Sequence, residues 1–178
     1  LVAVDQQFAV SAGGLIDAFT RVGSTVEDAG VSLEQFIGLV TAARQITGRS
    51  EAQIGNSLKT IFTRLERSST LEQLEGLGIS VRDASGAAKS ALGVFNQLAL
   101  SYDNLSRSQQ QQVAELGAGV FQINQFKALV QDLGRANGVA AQATKTATQE
   151  TNSALVRNVA LNNTLAASVQ NLQTSATQ

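Results

Sequence analysis

Not one proline interrupts this chain of 178 residues, and 15 glycines supply most of its punctuation. Proline stops a helix because it lacks an N–H and its ring collides with the preceding turn. Without it, helices must end at glycine or at capping side chains. Read on that rule, the chain divides into successive helices. Phe8, Ala12, Leu15, Phe19, Val22, Val26 and Ala29 step by four and three in alternation. That spacing predicts one long helix with a heptad seam, closed by Gly30.

Three pairs, Ser32 with Gln35, Ser50 with Gln53 and Ser106 with Gln109, have the spacing of a capping box. In that device each side chain meets the other residue's free backbone N–H. The first opens a helix with the stripe Leu33, Phe36, Ile37, Val40 and Ala43, ended by Gly48. The second opens a helix with Ile54, Leu58, Ile61, Phe62 and Leu65 on one face. Gly55 lies inside it at a cost of roughly 1 kcal/mol in helix propensity, which predicts the close approach of a neighbouring helix.

From Ser68 the chain reads as a cap and two short turns, with Gly78 a left-handed residue that lets Ile79 fold back onto Leu74. Ile79 and Val81 alternate ahead of a turn at Asp83 to Gly86, which predicts a short extended or hairpin segment. Helix resumes with Leu92, Phe95, Leu98, Tyr102 and Leu105. Gly117 and Gly119 break again, and a last packed helix runs to about Gly138 with Ile123, Phe126, Leu129, Val130 and Leu133 in one arc. Phe121 projects almost opposite Phe126 at about 100° per residue.

Composition agrees with helices. Apolar residues make up 43% of the chain but aromatics only 4%, with no Trp, so the core is Leu, Val, Ile and Ala. Such residues suit interdigitated helices better than a β-sandwich. The expected fold is all-α: a multi-helix bundle with short Gly/Ser-capped turns, a short extended or hairpin segment near 79–86, and a polar C-terminal helix or coiled coil. Residues 1–138 form the module. Residues 139–178, rich in Ala, Thr, Gln and Asn, read as a thin polar helix or a linker with sparse large apolar residues at Leu155, Val159, Leu165, Val169 and Leu172. Fully helical, those ~40 residues would span about 60 Å.

The inventory of reactive groups is short. There is no His and no Cys, which removes the commonest general base, thiol nucleophiles and most zinc sites. Net charge is −1, with 13 basic and 14 acidic residues. Nucleic-acid binding by counterion release needs a basic excess. The run Arg44, Arg49, Lys59, Arg64 and Arg67 is interleaved with Glu51, Glu66, Glu72 and Glu75 and reads as a solvated helical face. The carboxylates Glu66, Glu72, Glu75 and Asp83 lie in turns without aromatics to line a sugar site.

Gly117-x-Gly119 resembles a phosphate loop only superficially. Val120 and Phe121 follow where a P-loop requires Lys and Ser/Thr, and Asn124 stands where a dinucleotide fingerprint requires a third glycine. A helix hinge is the expected role. No apolar run approaches the roughly 20 residues of a bilayer crossing. The expectation is a non-enzyme without cofactor, metal or specific nucleic acid. The lack of any Met, at position 1 included, is what a piece of a longer chain would show.

Three stretches carry a resemblance. "AGVSLEQFIGLVTAARQITGRSEAQIGNSLKTIFTRL", "LEGLGISVRDASG" and "ELGAGVFQINQFKALVQDL" are similar, in order and spacing, to the core region of phage tail tape measure proteins. The shared marks are an Ala-Gly-Val-Ser helix start, the Gly55-x-x-Leu58-Lys59-x-Ile61-Phe62-x-Arg64-Leu65 helix, the Leu77-Gly78-Ile79-x-Val81 turn ending at Asp83-x-x-Gly86, and Gly119-x-x-Gln122-x-Asn124 leading to Ala128-Leu129. The match covers roughly residues 15–135; from 139 onward the likeness is one of style.

The resemblance implies a structural protein inside the tail tube of a long-tailed phage. It would set tail length in assembly, in the host cytoplasm, and leave through the tail tip at DNA ejection. It implies side-by-side copies, as a trimer or hexamer, and contact with the tail tube protein, tip or distal tail proteins, a tail assembly chaperone and the host envelope. Two alternatives stand beside it: a membrane-active or pore-forming module of the tail tip, and a peptidoglycan hydrolase segment using Glu66 or Glu75. The residues expected to pack or assemble are Phe8, Leu15, Phe19, Val22, Val26, Phe62, Phe121, Phe126, Leu129 and Leu133. Self-association is expected through the Phe8–Ala29 seam. Phe121 is expected to be buried against a second helix or a second subunit.

Overall fold

The computed structural model describes residues 2–154, and the apolar positions Leu155 to Leu172 of the polar tail lie outside that range. The fold is all-α. In chain order the helices are α1 (Val2–Gln7), α2 (Ala12–Val22), α3 (Thr25–Asp28), α4 (Leu33–Thr47), α5 (Glu51–Leu65), α6 (Ser68–Gly76), α7 (Ala91–Ser101) and α8 (Arg107–Leu133). A 3₁₀ turn, Tyr102–Asn104, follows α7. A further helix, α9, occupies residues 139–154 up to the limit of the described residues.

All three capping boxes form. The hydroxyls of Ser32, Ser50 and Ser106 accept from the N–H of Gln35, Gln53 and Gln109, and each Gln side chain accepts in return from its serine's N–H. Gly78 adopts φ +83°. It donates to the Glu75 carbonyl while Ile79 donates to Leu74, the double bond pattern that closes a helix over a left-handed residue. The segment after it is a minimal hairpin, held by a single antiparallel bridge between Arg82 and Ala88. The Asp83 carboxylate accepts from the N–H groups of Ser85 and Ala87 and from the Ser85 hydroxyl. Those bonds hold the carboxyl below the usual aspartate range.

The expected long helix over Phe8–Ala29 does not form. Ser11 takes an extended conformation and caps α2 through the Gly14 N–H, and Gly23 ends that helix at φ +58°. The heptad seam is buried only in part: Leu15, Val22, Val26 and Ala29 are buried, whereas Phe19 is 41% exposed and Ala18, one position off the seam, is buried in its place. α2 lies on α5 of the same chain and crosses it with Ala18 against Gly55. A Cβ at Gly55 would lie 2.6 Å from the Ala18 carbonyl oxygen. The seam expected to join two copies is therefore an internal contact, because the glycine in α5 lets α2 lie directly on it.

α5 is the central element, packed against α2, α4, α7 and α8. Phe36, Phe62, Phe95 and Phe126 are fully buried. The core continues past residue 138, since Ala140, Ala143 and Ala147 of α9 belong to it. A Cβ at Gly38 would collide with Thr144 and with the Ala140 carbonyl, so α9 lies on α4 at backbone distance. Asp132, itself buried, accepts the N–H groups of Val139 and Ala140, both at 2.8 Å, and so caps α9 from the preceding helix.

Candidate functional site

α8 is bent back on itself at Gly119, whose φ of 66° and ψ of 173° belong to a region open essentially to glycine alone. Two contacts record the reversal. Lys127 Nζ donates to Gln111 Oε1 at 3.2 Å, and a Cβ at Gly117 would lie 2.5 Å from the Phe126 ring. Gly117 and Gly119 thus divide the work: one allows the turn and the other allows the two arms to touch.

The hinge is clamped from α5. Arg64 Nε donates to the Leu116 carbonyl and Nη2 to the Glu115 carbonyl, both at 2.9 Å. These are carbonyls at the end of the first arm, where helix geometry leaves oxygens unpaired and favours a cation. Other members of the basic run behave likewise. Arg44 donates to the carbonyls of Gly48 and Arg49 and lies 3.9 Å from Glu51. With the buried Gln125 amide turned oxygen-first toward Arg49, it accepts from Nε at 2.6 Å and Nη1 at 2.9 Å. The run expected to be a solvated face is in part a set of internal clasps. Spacing alone could not reveal this, because the acceptors belong to distant backbone.

The expected packing residues separate into two groups. Leu15, Val22, Val26, Phe62, Phe126 and Leu129 are buried, and Phe8 and Leu133 pack against the same core. Phe126 meets Phe95 with ring centroids 5.4 Å apart. Phe19 meets Phe36 edge-on at 5.6 Å yet remains 41% exposed. Phe121 is 88% exposed and Val120 75%, so no second helix among the described residues covers them. The reason is geometric: two consecutive apolar residues on one helix point about 100° apart, and the core arc of this arm is already filled from Phe126 to Val130. Beneath them lies an open hollow of ≈ 670 Å³ with Thr60, Arg64, Gln73 and Glu115 in its wall.

Sequence reasoning missed a second surface. Leu15, Ile16, Phe19, Leu33, Phe36 and Ile37 enclose an apolar groove of ≈ 220 Å³ between α2 and α4. Ile16 is 56% and Leu33 49% exposed on its rim. Ile16, one residue off the heptad seam, was the available signal.

The carboxylates considered for hydrolysis are dispersed. Glu66 caps the C-terminal end of α5, and partial desolvation together with the nearby Asp28 pushes its carboxyl above the usual range. Glu75 lies 3.4 Å from Arg82 in an ion pair half open to solvent. No group of three or more Asp or Glu residues that could hold a metal occurs among the described residues.

Residues 1–119 match the family described as phage-related minor tail protein, two thirds of the chain. The chain belongs to that family. No solved structure matches it. The tail protein is accordingly a structural component of the virion tail, built on an all-α frame that ends, over the matched region, at the Gly119 hinge. No helix among its described residues is long and apolar enough to cross a membrane.

Proposed function

We propose that this tail protein is part of a tape measure chain, which lies in the tail tube lumen, sets tail length during assembly and is released at the tip for DNA ejection. One observation carries the reading. The ordered motifs over roughly residues 15–135 resemble the tape measure core, and they occur in a chain of the minor tail family. Near-neutral charge suits a lumen that DNA must traverse, because a strongly basic lining would retain the DNA by counterion release.

The fold restricts which part of such a chain could measure. A ruler transmits length in proportion to residues, about 1.5 Å for each in helix. The described residues instead turn at positive-φ glycines, Gly23, Gly30, Gly48, Gly78 and Gly119 among them, and their helices pack on one another. The module would therefore be a docking unit, engaging copies of itself as a trimer or hexamer, tail tube and tip proteins, an assembly chaperone and later the host envelope. Measurement would belong to helical segments elsewhere in the full-length chain.

In-frame deletions in the phage gene test this, with tail length read by electron microscopy. Removing 60 helical residues outside the module should shorten tails by about 90 Å. Deleting the module should abolish tails rather than shorten them. Tails of unchanged length after the first deletion would refute the reading.

A further inference from the structure

The exposed tip of α8 and the groove between α2 and α4 have complementary form. The tip is a rigid projection. Gly119 fixes the turn, Arg64 holds the carbonyls of Glu115 and Leu116, and Phe121 stands 88% exposed at the start of the second arm. A backbone held before contact leaves only the two side-chain torsions of the phenylalanine to be fixed on binding, and a lone aromatic anchor of this kind dominates many interfaces. The groove is a concave site with apolar walls alone and a volume of ≈ 220 Å³.

We propose that Phe121 of one copy inserts into the α2/α4 groove of a second copy of this chain, a head-to-tail contact. No residue lines both surfaces, so each copy offers one of each. Charge supports this occupant. Exposed Asp17 follows Ile16, Glu34 follows Leu33, and Glu27 borders the adjoining hollow that shares Phe19 and Leu33 with the groove; Arg21 is the single cation of α2 and α3. The tip carries the opposite balance. Arg64 lines the hollow under Phe121, exposed Lys59 stands beside Thr60 in its wall and Lys127 lies on the same arm, three cations against two carboxylates, Glu115 in the wall and exposed Glu72 beside Gln73. Opposite rims around an apolar anchor steer association and fix its register.

A contact between two different patches is heterologous. It closes into a ring if its rotation permits and otherwise propagates. The inference does not depend on the tail-length reading, since it concerns only how two copies meet.

The absence of cysteine from the chain gives a direct test on the full chain. Val120→Cys and Leu33→Cys variants, both altered at exposed positions and both keeping Phe121, are mixed and oxidised with oxidised glutathione. A disulfide joining one variant to the other is expected, and the double variant should give a ladder or a closed ring of cross-linked copies. Disulfides only between two Val120→Cys chains would indicate a two-fold contact of tip against tip and overturn the proposal. Failure to cross-link at all would also overturn it.

A second measurement uses Phe121→Asp and Leu33→Asp, with circular dichroism confirming the fold of each. Each alone should associate at least about 30-fold more weakly than the unaltered chain. An equimolar mixture should regain one intact contact and sediment as a dimer. A mixture that stays monomeric would refute the head-to-tail arrangement.

Discussion

Replacing Gly55 with alanine sets two well-sized effects against each other. In an open helix the change gains roughly 1 kcal/mol, because glycine is that much the poorer helix former. At this position the new Cβ would lie 2.6 Å from the carbonyl oxygen, 2.9 Å from the Cα and 3.1 Å from the carbonyl carbon of Ala18. All three are backbone atoms of a helix, so no rotamer change relieves the collision and α2 must move as a body. Overpacking of this kind costs typically 1–3 kcal/mol. Displacing α2 also loosens Leu15 and Val22, which it buries. Setting the helix gain against that cost leaves a net destabilisation of up to about 2 kcal/mol.

Urea denaturation followed by circular dichroism measures this, and thermal melting should show a loss of up to about 8 °C at 2–4 °C per kcal/mol. The control is Gly13→Ala, also in a helix but with nothing within 4 Å of the added carbon; it should stabilise by up to about 1 kcal/mol. A further Ala18→Gly change should not rescue Gly55→Ala, since the offending atoms are main chain. If Gly55→Ala proves as stable as Gly13→Ala, the close approach of α2 to α5 is wrong.

Asp132→Ala removes the buried acceptor of the Val139 and Ala140 N–H groups. Loss of two charge-assisted bonds at a helix start should cost about 2–4 kcal/mol, read as a lower urea midpoint and faster amide exchange at residues 139 and 140; unchanged exchange there would count against the cap. Glu66 has its folded-state pKa raised, first by desolvation and then by Asp28, so the folded chain holds that proton more tightly than the unfolded one. Stability from this group is present at low pH and is lost as pH rises through the carboxylate range. Glu66→Gln should therefore raise the melting temperature at pH 7, and the gain should vanish in acid. A gain that persists unchanged at low pH would refute the assignment.

Local chemistry was legible because its partners are near in sequence. Capping boxes at Ser32, Ser50 and Ser106, the left-handed Gly78, the turn at Asp83 and the hinge at Gly119 each rest on backbone groups within about five residues. The sequence by itself also determined the helical class and the reading of a tail protein, since ordered motifs and glycine punctuation survive without coordinates. The all-α fold and the minor tail family agree with both.

What only the tertiary structure decided depends on where distant backbones meet. Periodicity places Leu15, Val22 and Val26 on one face but cannot tell whether that face meets α5 or another chain. Gly55 settled it by bringing Ala18 to its backbone. Likewise Arg64 belongs to a charge run in sequence and to the carbonyls of Glu115 and Leu116 in space. Phe121 projects almost opposite Phe126 on the same arm, and it stands in solvent because no described helix lies against that side. Burial is a property of what lies opposite, and one helix's pattern does not contain that.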